Sequence, residues 1–432
     1  MINRIFSILI LLVFNSNIIF TQTQDSTKSD LYIWLKSLPD VEVHSIQADK
    51  IYTEAYEIFV TQPIDHNNPE GPKFKQQIFL SNVDKTKPVV IELDGYAVNN
   101  HTTELSKLLN CNQIVVEHRY FGESVPAPFD WKYLTIKQAA DDHHRIIELF
   151  KKYYTGKWIT TGISKGGSCV IFHGYFYPDD ADAAVAYEGP LNLSTEDQRV
   201  YEWIKTVSTP ECRSKVYNFQ KLCFEKRDQL FPIFVRNAEQ KNLQYNIVGI
   251  EKAFEYAVLE YSFAYWQWGD GNCNEIPDEN SSINEIWEHL LKNGGVSYFS
   301  DAEIKEGYPF YYQCYTEFGY YAYETKYFKE YLKYVDGQTE FFIPPNSNPT
   351  YDPRLLKKIN DWASNEASDF IFIYGGNDPW SSTGVCLTGK TNSVKMVLPN
   401  GSHSSRIRGF SKKDKEIIYS RLENWLGVQI ER

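Results

Sequence analysis

Short apolar runs separated by turn residues alternate with longer amphipathic stretches along much of this chain. Runs typical of strands, rich in β-branched and aromatic residues, lie at 56–61, 75–80, 88–93, 113–117, 157–161, 183–187, 370–376 and 395–398. Apolar residues recur at helical spacing over 136–154 and again over 411–426. Strands that alternate with helices in this way predict a mostly parallel, doubly wound sheet.

The alternation stops near residue 191 and resumes near residue 370. The segment between these points is helical, aromatic and polar in character, with few β-branched runs. We therefore expect one α/β domain that is interrupted by a helical insertion. The expected boundaries are 24–197 for the first part of the core, 198–345 for the inserted helical cap, and 346–432 for the second part of the core.

The first 23 residues have the pattern of a secretory signal. Arg4 supplies a positive charge, residues 5–20 are almost wholly apolar, and a polar stretch follows. The apolar run is short and interrupted for a transmembrane span. We therefore expect a signal peptide at 1–23, a secreted or periplasmic chain, and no membrane association after its removal. An uncleaved membrane anchor is the alternative.

Composition narrows the range of partners. The net charge of −12 argues against nucleic acid or an anionic membrane as a partner and mildly favours a cationic substrate. Seven cysteines are present, but none forms a Cys-x-x-Cys pair and no Cys/His cluster has zinc spacing. We expect no metal and no cofactor. Cys212 and Cys223 are close enough in sequence to form a local disulfide.

A nucleophile motif lies between a predicted strand and a predicted helix. The run Gly162-Ile163-Ser164-Lys165-Gly166 matches Gly-x-Ser-x-Gly. In this motif the serine occupies a sharp strand-to-helix turn, and the glycines let neighbouring backbones approach closely. The five-residue match alone is weak, but a β-branched run precedes it and a helix-compatible stretch follows it. The motif in this context predicts the α/β-hydrolase fold, with Ser164 as the nucleophile.

A serine nucleophile needs a base, and the base needs an acid that orients it. In this fold the acid and then the histidine follow the serine along the chain. His289 lies within a helical stretch of the insertion, whereas His403 lies in a turn-rich loop directly after a strand. Asp378 follows the preceding strand. We predict a catalytic triad of Ser164, Asp378 and His403; a solvent-exposed loop histidine and a turn-forming aspartate are the alternative interpretations.

The oxyanion of a tetrahedral intermediate must be held by backbone N–H groups. We expect one donor from Lys165, the residue after the nucleophile, and the other from Tyr96, in the loop after the strand at 88–93. Only the backbone of Lys165 is needed for this role.

Several strings outside the motif resemble those of the proline-specific serine exopeptidases, a clan that includes lysosomal Pro-X carboxypeptidase and dipeptidyl peptidase II. These strings lie at 62–66, 117–124 (Glu-His-Arg-Tyr-Phe-Gly-Glu-Ser), 133–139, 375–380 and 401–403. Within the clan, the segments 157–159, 162–167 and 176–178 are most similar to the secreted prolyl tri/tetrapeptidyl aminopeptidases. The similarity covers most of the chain after the signal.

This resemblance implies a peptidase that cleaves after a proline near the free N-terminus of a peptide substrate and releases a tri- or tetrapeptide. In the insertion, Trp266 and Trp268 can form an aromatic pocket for the proline ring. An exopeptidase must also hold the substrate's α-ammonium group, and a desolvated carboxylate is the simplest device. Glu317, Glu196 and Asp197 are candidates, although each is equally interpreted as a solvated surface acid.

Other functions on the same fold remain open. A Pro-X carboxypeptidase would need a cationic anchor for the terminal carboxylate, and a dipeptidyl peptidase of the clan would release two residues. A lipase or esterase would require a more aliphatic cap without an acidic anchor. A non-catalytic binding protein would normally have lost a triad residue, and none is missing. For Glu117 and His118, a structural network is favoured over a direct catalytic role. This network would lie beside the loop that follows the strand at 88–93 and contains Tyr96, which we call the oxyanion loop.

Overall fold

A computed structural model describes residues 28–269 and 271–432 of the chain. The predicted signal at 1–23 lies outside the described residues. No helix in the described ranges is long and apolar enough to cross a membrane.

The described residues form one sheet of nine strands in the order β1-β2-β3-β5-β4-β6-β7-β8-β9. The strands are β1 (Val41–Ile46), β2 (Glu54–Pro63), β3 (Lys73–Asn82), β4 (Val89–Leu93), β5 (Asn112–Val116), β6 (Trp158–Ile163), β7 (Ala183–Tyr187), β8 (Phe370–Gly375) and β9 (Val394–Leu398). Pairing is antiparallel from β1 through β3 to β5 and parallel from β5 to β9. The predicted mostly parallel sheet and the α/β-hydrolase fold are confirmed. The patterning did not reveal β1, in which Val43 alone is fully buried.

Helices cover both faces of this sheet. Those of the core are α1 (Asp30–Ser37), α2 (Glu104–Leu109), α3 (Ile136–Phe150), α4 (Lys165–Phe176), α12 (Arg354–Asn365) and α13 (Lys412–Leu426). Successive side chains of a strand point to opposite faces. In β4, Ile91 therefore packs in the cluster that includes α3, α4 and α12, and Val90 packs in the cluster that includes α2 and α13.

The insertion leaves the sheet after β7 and returns at β8, and these two strands pair directly in parallel. Within the described residues between them there is no further strand. The inserted helices ahead of α12 are α5 (Gln198–Ile204), α6 (Pro210–Glu225), α7 (Arg227–Gln240), α8 (Ile250–Trp268), α9 (Ile283–Asn293), α10 (Asp301–Glu306) and α11 (Tyr308–Gln313).

A disulfide joins Cys212 at the start of α6 to Cys273 after α8, with the two Cα atoms 5.4 Å apart. The expected pair of Cys212 and Cys223 is wrong. Both residues lie on α6, where eleven residues of helix span about 16 Å. That span is too long for a disulfide, and Cys223 is a buried free thiol.

A buried ion network uses two of the strings that carried the resemblance. The Arg119 guanidinium donates from Nε to Asp142 Oδ2 (2.6 Å) and from Nη2 to Oδ1 (2.8 Å). His66 Nε2 lies 2.7 Å from the same Oδ1, and Arg119 Nη1 donates to the Ile64 carbonyl (3.0 Å). These bonds tie the end of β2 and the loop after β5 to α3. Burial acts to raise the pKa of Asp142, but the Arg119 charge and the hydrogen bonds hold it below its usual range.

We expect Asp142→Asn to lower the free energy of unfolding by about 3–5 kcal/mol, because it leaves the Arg119 charge buried without its counter-ion. Since the folded-state pKa is depressed, the ion pair's contribution is present above the unfolded pKa of about 3.9 and is lost as the pH falls through the folded value. Urea unfolding between pH 3 and 7 measures the difference. Glu42→Gln, which removes an exposed partner of Lys75, is the control. A loss no larger than the control's would contradict the account.

Candidate active site

Ser164 lies in the turn between β6 and α4 with strained backbone angles, φ 59° and ψ −123°. A non-glycine residue adopts positive φ only where its surroundings impose it. Here the backbones are in close contact. A Cβ on Gly162 would lie 2.4 Å from the Gly166 carbonyl oxygen, and one on Gly167 would lie 2.4 Å from the Tyr187 carbonyl oxygen. The Ser164 N–H also donates to the Tyr187 carbonyl (2.9 Å). The arrangement is the sharp nucleophile turn that the motif requires.

Asp378 and His403 come from successive loops at the carboxyl ends of β8 and β9. His403 Nδ1 donates to Asp378 Oδ2 at 2.7 Å, and the residues are 3% and 0% exposed. This bond fixes the imidazole tautomer in which Nε2 is free to accept a proton. The His403 N–H donates to the carbonyl of Gln267 (2.9 Å), so the end of α8 holds the histidine loop. Ser164 and His403 line the same cavity.

Glu188, which follows β7, is a buried carboxyl group that the sequence reasoning missed. Its Oε2 accepts the Gly375 N–H (3.0 Å), whereas its Oε1 is buried beside Asp378 without a hydrogen-bond partner among the described residues. Burial, and then the charge of Asp378, raise the pKa of Glu188 well above its usual range. The raised pKa favours the protonated form of Glu188 beside Asp378.

Three described side chains are close enough to hold a metal ion together. Ligand atoms of Glu188, Asp378 and His403 all lie within 4.8 Å of one another. A cation there would have to replace the His403–Asp378 hydrogen bond. In this structure His403 and Asp378 are hydrogen-bonded to each other, and Glu188 Oε2 accepts the Gly375 N–H.

The two expected oxyanion donors differ in availability. Lys165 begins α4, so its N–H has no intrahelical acceptor. The Tyr96 N–H, in contrast, donates to Asp94 Oδ1 at 2.9 Å, because the aspartate side chain closes a turn over its own loop. The Tyr96 N–H is therefore occupied in this structure, and its role as an oxyanion donor stays a prediction. The next N–H along, that of Ala97, has no acceptor in the described part of the chain, and Ala97 lines the cavity.

The Lys165 side chain is buried beneath the oxyanion loop. Its ammonium group donates to the Gly95 carbonyl and lies 4.7 Å from the centre of the Phe121 ring. Burial lowers the pKa of Lys165 to about 8. A Cβ on Gly95 would lie 2.6 Å from the Lys165 Cβ, so the loop can rest on α4 only with glycine at this position.

Glu117 and His118 hold the same loop from the other side. The Glu117 carboxylate accepts the Val98 N–H (3.2 Å) and the Ser124 hydroxyl (2.6 Å). The His118 N–H donates to the Tyr96 carbonyl (3.1 Å). These contacts are structural, in agreement with the role favoured from the sequence.

The cavity that contains Ser164 and His403 has a volume of about 1170 Å³. Pockets for small molecules usually measure about 300–1,000 Å³, so this one has room for several residues of a peptide. Aromatic side chains form much of its wall, among them Phe121, Phe310 and Trp380.

The two tryptophans proposed as a proline pocket lie apart. Trp268 is 62% exposed, lines the cavity and contacts the His403 ring edge-on, with the ring centres 5.0 Å apart. Trp266 is 1% exposed and lines a separate space of about 600 Å³ within the insertion. The helical repeat places neighbours two apart on different faces of α8.

The three acids proposed for the substrate terminus serve other purposes. Glu317 accepts the N–H of Ile136 (2.8 Å) at the start of α3. Asp197 caps α5 and pairs with Arg199, and Glu196 accepts the Tyr201 hydroxyl (2.7 Å). As far as the described residues define the cavity, none of the three acids lines it. Asp197 and Glu317 thus accept N–H groups at the starts of α5 and α3, a common use of acidic residues.

The fold and the site define a serine hydrolase of the α/β-hydrolase type. The chain belongs to the PS-10 peptidase S37 family, whose model matches residues 27–432, and it is a serine peptidase. The chain is 28% identical over 376 residues to the prolyl tri/tetrapeptidyl aminopeptidase of Streptomyces mobaraensis, covering 85% of this chain and 79% of that relative. It is 21% identical over 431 residues to the probable serine protease EDA2 of Arabidopsis thaliana, covering 86% and 85%.

Solved structures are more distantly similar. VinJ aligns with a TM-score of 0.39 at 12% identity, over 85% of this chain and 98% of that one. The proline iminopeptidase of Mycobacterium smegmatis aligns with a TM-score of 0.37 at 10% identity, over 84% and 96%.

The raised pKa of Glu188 predicts that Glu188→Gln keeps kcat/KM within about 3-fold of wild type, since the amide can donate to the adjacent Asp378 and accept from Gly375. Glu188→Leu removes both bonds and is expected to lower kcat by about 10-fold or more. Steady-state kinetics with thermal melting of each variant measures this. An equal loss in both variants would show that an ionised Glu188 is required.

Proposed function

We propose that this serine peptidase is a secreted exopeptidase that cleaves after a proline near the free N-terminus of a peptide and releases a tri- or tetrapeptide. The family assignment and the activity named for the Streptomyces mobaraensis relative support this specificity. The Cys212–Cys273 disulfide supports an oxidising compartment outside the cytoplasm, in keeping with a cleaved signal at residues 1–23.

In the proposed mechanism, Ser164, His403 and Asp378 act as the triad. His403 Nε2 takes the proton of the Ser164 hydroxyl as Oγ attacks the carbonyl carbon of the proline, and Asp378 stabilises the imidazolium. The imidazolium then protonates the leaving amine, and an acyl-enzyme forms on Ser164. In the second half of the reaction, His403 takes a proton from water, which attacks the acyl-enzyme and releases the peptide fragment. The buried 2.7 Å His403–Asp378 bond beside the strained Ser164 is the observation that carries the proposal.

The oxyanion is held by the free N–H of Lys165 and by a second N–H from the loop above it. Ala97 provides this second donor as the loop stands. Tyr96 provides it if its N–H leaves the Asp94 carboxylate. Burial raises the pKa of Asp94 to about 6.

Trp268 supplies the flat face for the proline ring. It lies against His403 within the cavity, where the residue that donates the scissile carbonyl must bind. Stacking on an aromatic face favours the rigid apolar ring of proline over flexible side chains.

A carboxypeptidase is the second candidate, because Arg406 lines the cavity beside His403. Its guanidinium is the kind of cation that would hold a C-terminal carboxylate. However, Arg406 Nη1 already donates to the carbonyls of His403 (3.2 Å) and Ser405 (2.7 Å), which favours a structural role.

Peptides with proline at each of the first five positions, prepared with free, N-acetylated or C-amidated ends, separate these functions. We expect mass spectrometry to show cleavage after proline at position 3 or 4, much slower cleavage after acetylation, and no effect of amidation. Ser164→Ala should lower kcat by about 10⁴-fold or more, whereas Ser404→Ala, at an exposed serine of the histidine loop, should not.

Three results would contradict the proposal. Cleavage unaffected by acetylation would exclude an aminopeptidase. Loss of cleavage on amidation would indicate a carboxypeptidase. Turnover of short-chain esters without any peptide cleavage would indicate an esterase.

A further inference from the structure

Glu260 is a buried acid in the wall of the cavity that contains Ser164. It lies on α8 and is 5% exposed. Its carboxylate accepts the Tyr321 hydroxyl at 2.9 and 3.0 Å and the Tyr323 hydroxyl at 2.9 Å. The sequence reasoning missed Glu260, since it stands within an apolar helical run.

The carboxylate has hydroxyl donors but no counter-ion. Within the described residues, no Lys, Arg or His nitrogen lies within 4.0 Å of Glu260, which takes part in none of the ion pairs. Glu255, on the same helix and also buried, shows the usual arrangement. It pairs with Arg227 and accepts three backbone N–H groups from 333–335. Glu260 is therefore an acid that is held in place and left unpaired.

Leaving a carboxylate in this position costs stability, because burial penalises the charged form. Burial raises the pKa of Glu260 to about 7, against the opposing effect of the two tyrosine hydroxyls. A cation that enters the cavity favours the ionised form and gains a charge-assisted hydrogen bond. The site is suited to a small, desolvated cation.

The position of Glu260 relative to the histidine loop matches a short peptide. Glu260, Ala264 and Gln267 lie on one face of α8 and line the cavity, and the Gln267 carbonyl accepts the His403 N–H. Glu260 and Gln267 are two helical turns apart, about 10 Å. Three residues of an extended peptide also span about 10 Å. A tripeptide that lies along α8 with its last carbonyl beside the histidine loop would therefore place its first residue at Glu260.

We propose that Glu260 binds the α-ammonium group of the peptide substrate, with the hydroxyls of Tyr321 and Tyr323 orienting the carboxylate. The distance along α8 then limits the released fragment to about three residues. This inference rests on the proposed N-terminal exopeptidase function and names the residue that would read the free terminus.

The test measures kcat/KM for a peptide with proline at position 3, with the N-terminus free or acetylated. For Glu260→Gln we expect a loss of about 10- to 100-fold with the free peptide, the effect of removing a charge-assisted hydrogen bond. We expect a change below about 3-fold with the acetylated peptide, which carries no ammonium group. Glu251→Gln, the same change at an exposed position of α8, should alter neither rate.

An unchanged rate with the free peptide would overturn the inference. So would an equal loss with both peptides, because the carboxylate would then act through the structure of the site. Should Glu260→Gln fail to fold in thermal melting, Glu260→Asp keeps the charge and predicts an intermediate loss confined to the free peptide. If the wild-type protein cleaves the two peptides equally well, the exopeptidase proposal itself fails. This wild-type comparison is made before any variant is measured, so the two failures can be distinguished.

Discussion

The close approach of three backbones at the nucleophile turn is the constraint on which the rest of the site depends. The start of α4 contacts the ends of β4 and β7 so closely that a Cβ on Gly166 would lie 2.8 Å from the Leu93 carbonyl oxygen. This contact keeps Ser164 at φ 59°, and the N–H of Lys165, the first residue of α4, has no acceptor in the described part of the chain. The same helix carries the Lys165 ammonium group that supports the oxyanion loop at Gly95. The proposed nucleophile and the proposed oxyanion donors are thus positioned by a single packing contact.

Burial raises the pKa values of two acids near this turn. One is Glu188, which lies beside Asp378, the residue that holds the His403 imidazole. The other is Glu260, whose pKa burial raises to about 7 and which has no counter-ion among the described residues, so its charge depends on what enters the cavity. One helix, α8, carries Glu260 and also holds the histidine loop through Gln267. In the proposed mechanism, substrate length and catalytic geometry are therefore set by the same element.

The sequence predicted what depends on local pattern and missed what depends on tertiary contact. The apolar runs of β4, β6 and β7, and the motif around Ser164, predicted the sheet and the turn, because each is encoded within a few residues. The sequence could not show that the Tyr96 N–H already has an acceptor, because the hydrogen bond to the Asp94 side chain depends on the fold of the loop. Asp197 was a candidate substrate anchor because its side chain is acidic, yet in the structure it caps α5. Glu260 gave no signal beyond an acid in an apolar helix, because its tyrosine partners lie some sixty residues away.

Covalent labelling tests the central claim, that the strained serine after β6 is the nucleophile, most directly. An organophosphonate that reacts with activated serines is incubated with the folded protein, and the adduct is located by peptide mass spectrometry. The account predicts one stoichiometric adduct, at Ser164, and none after unfolding in urea, because the activation depends on His403 and on the folded turn. An adduct at another residue, or no adduct in a protein that cleaves peptides, would contradict it.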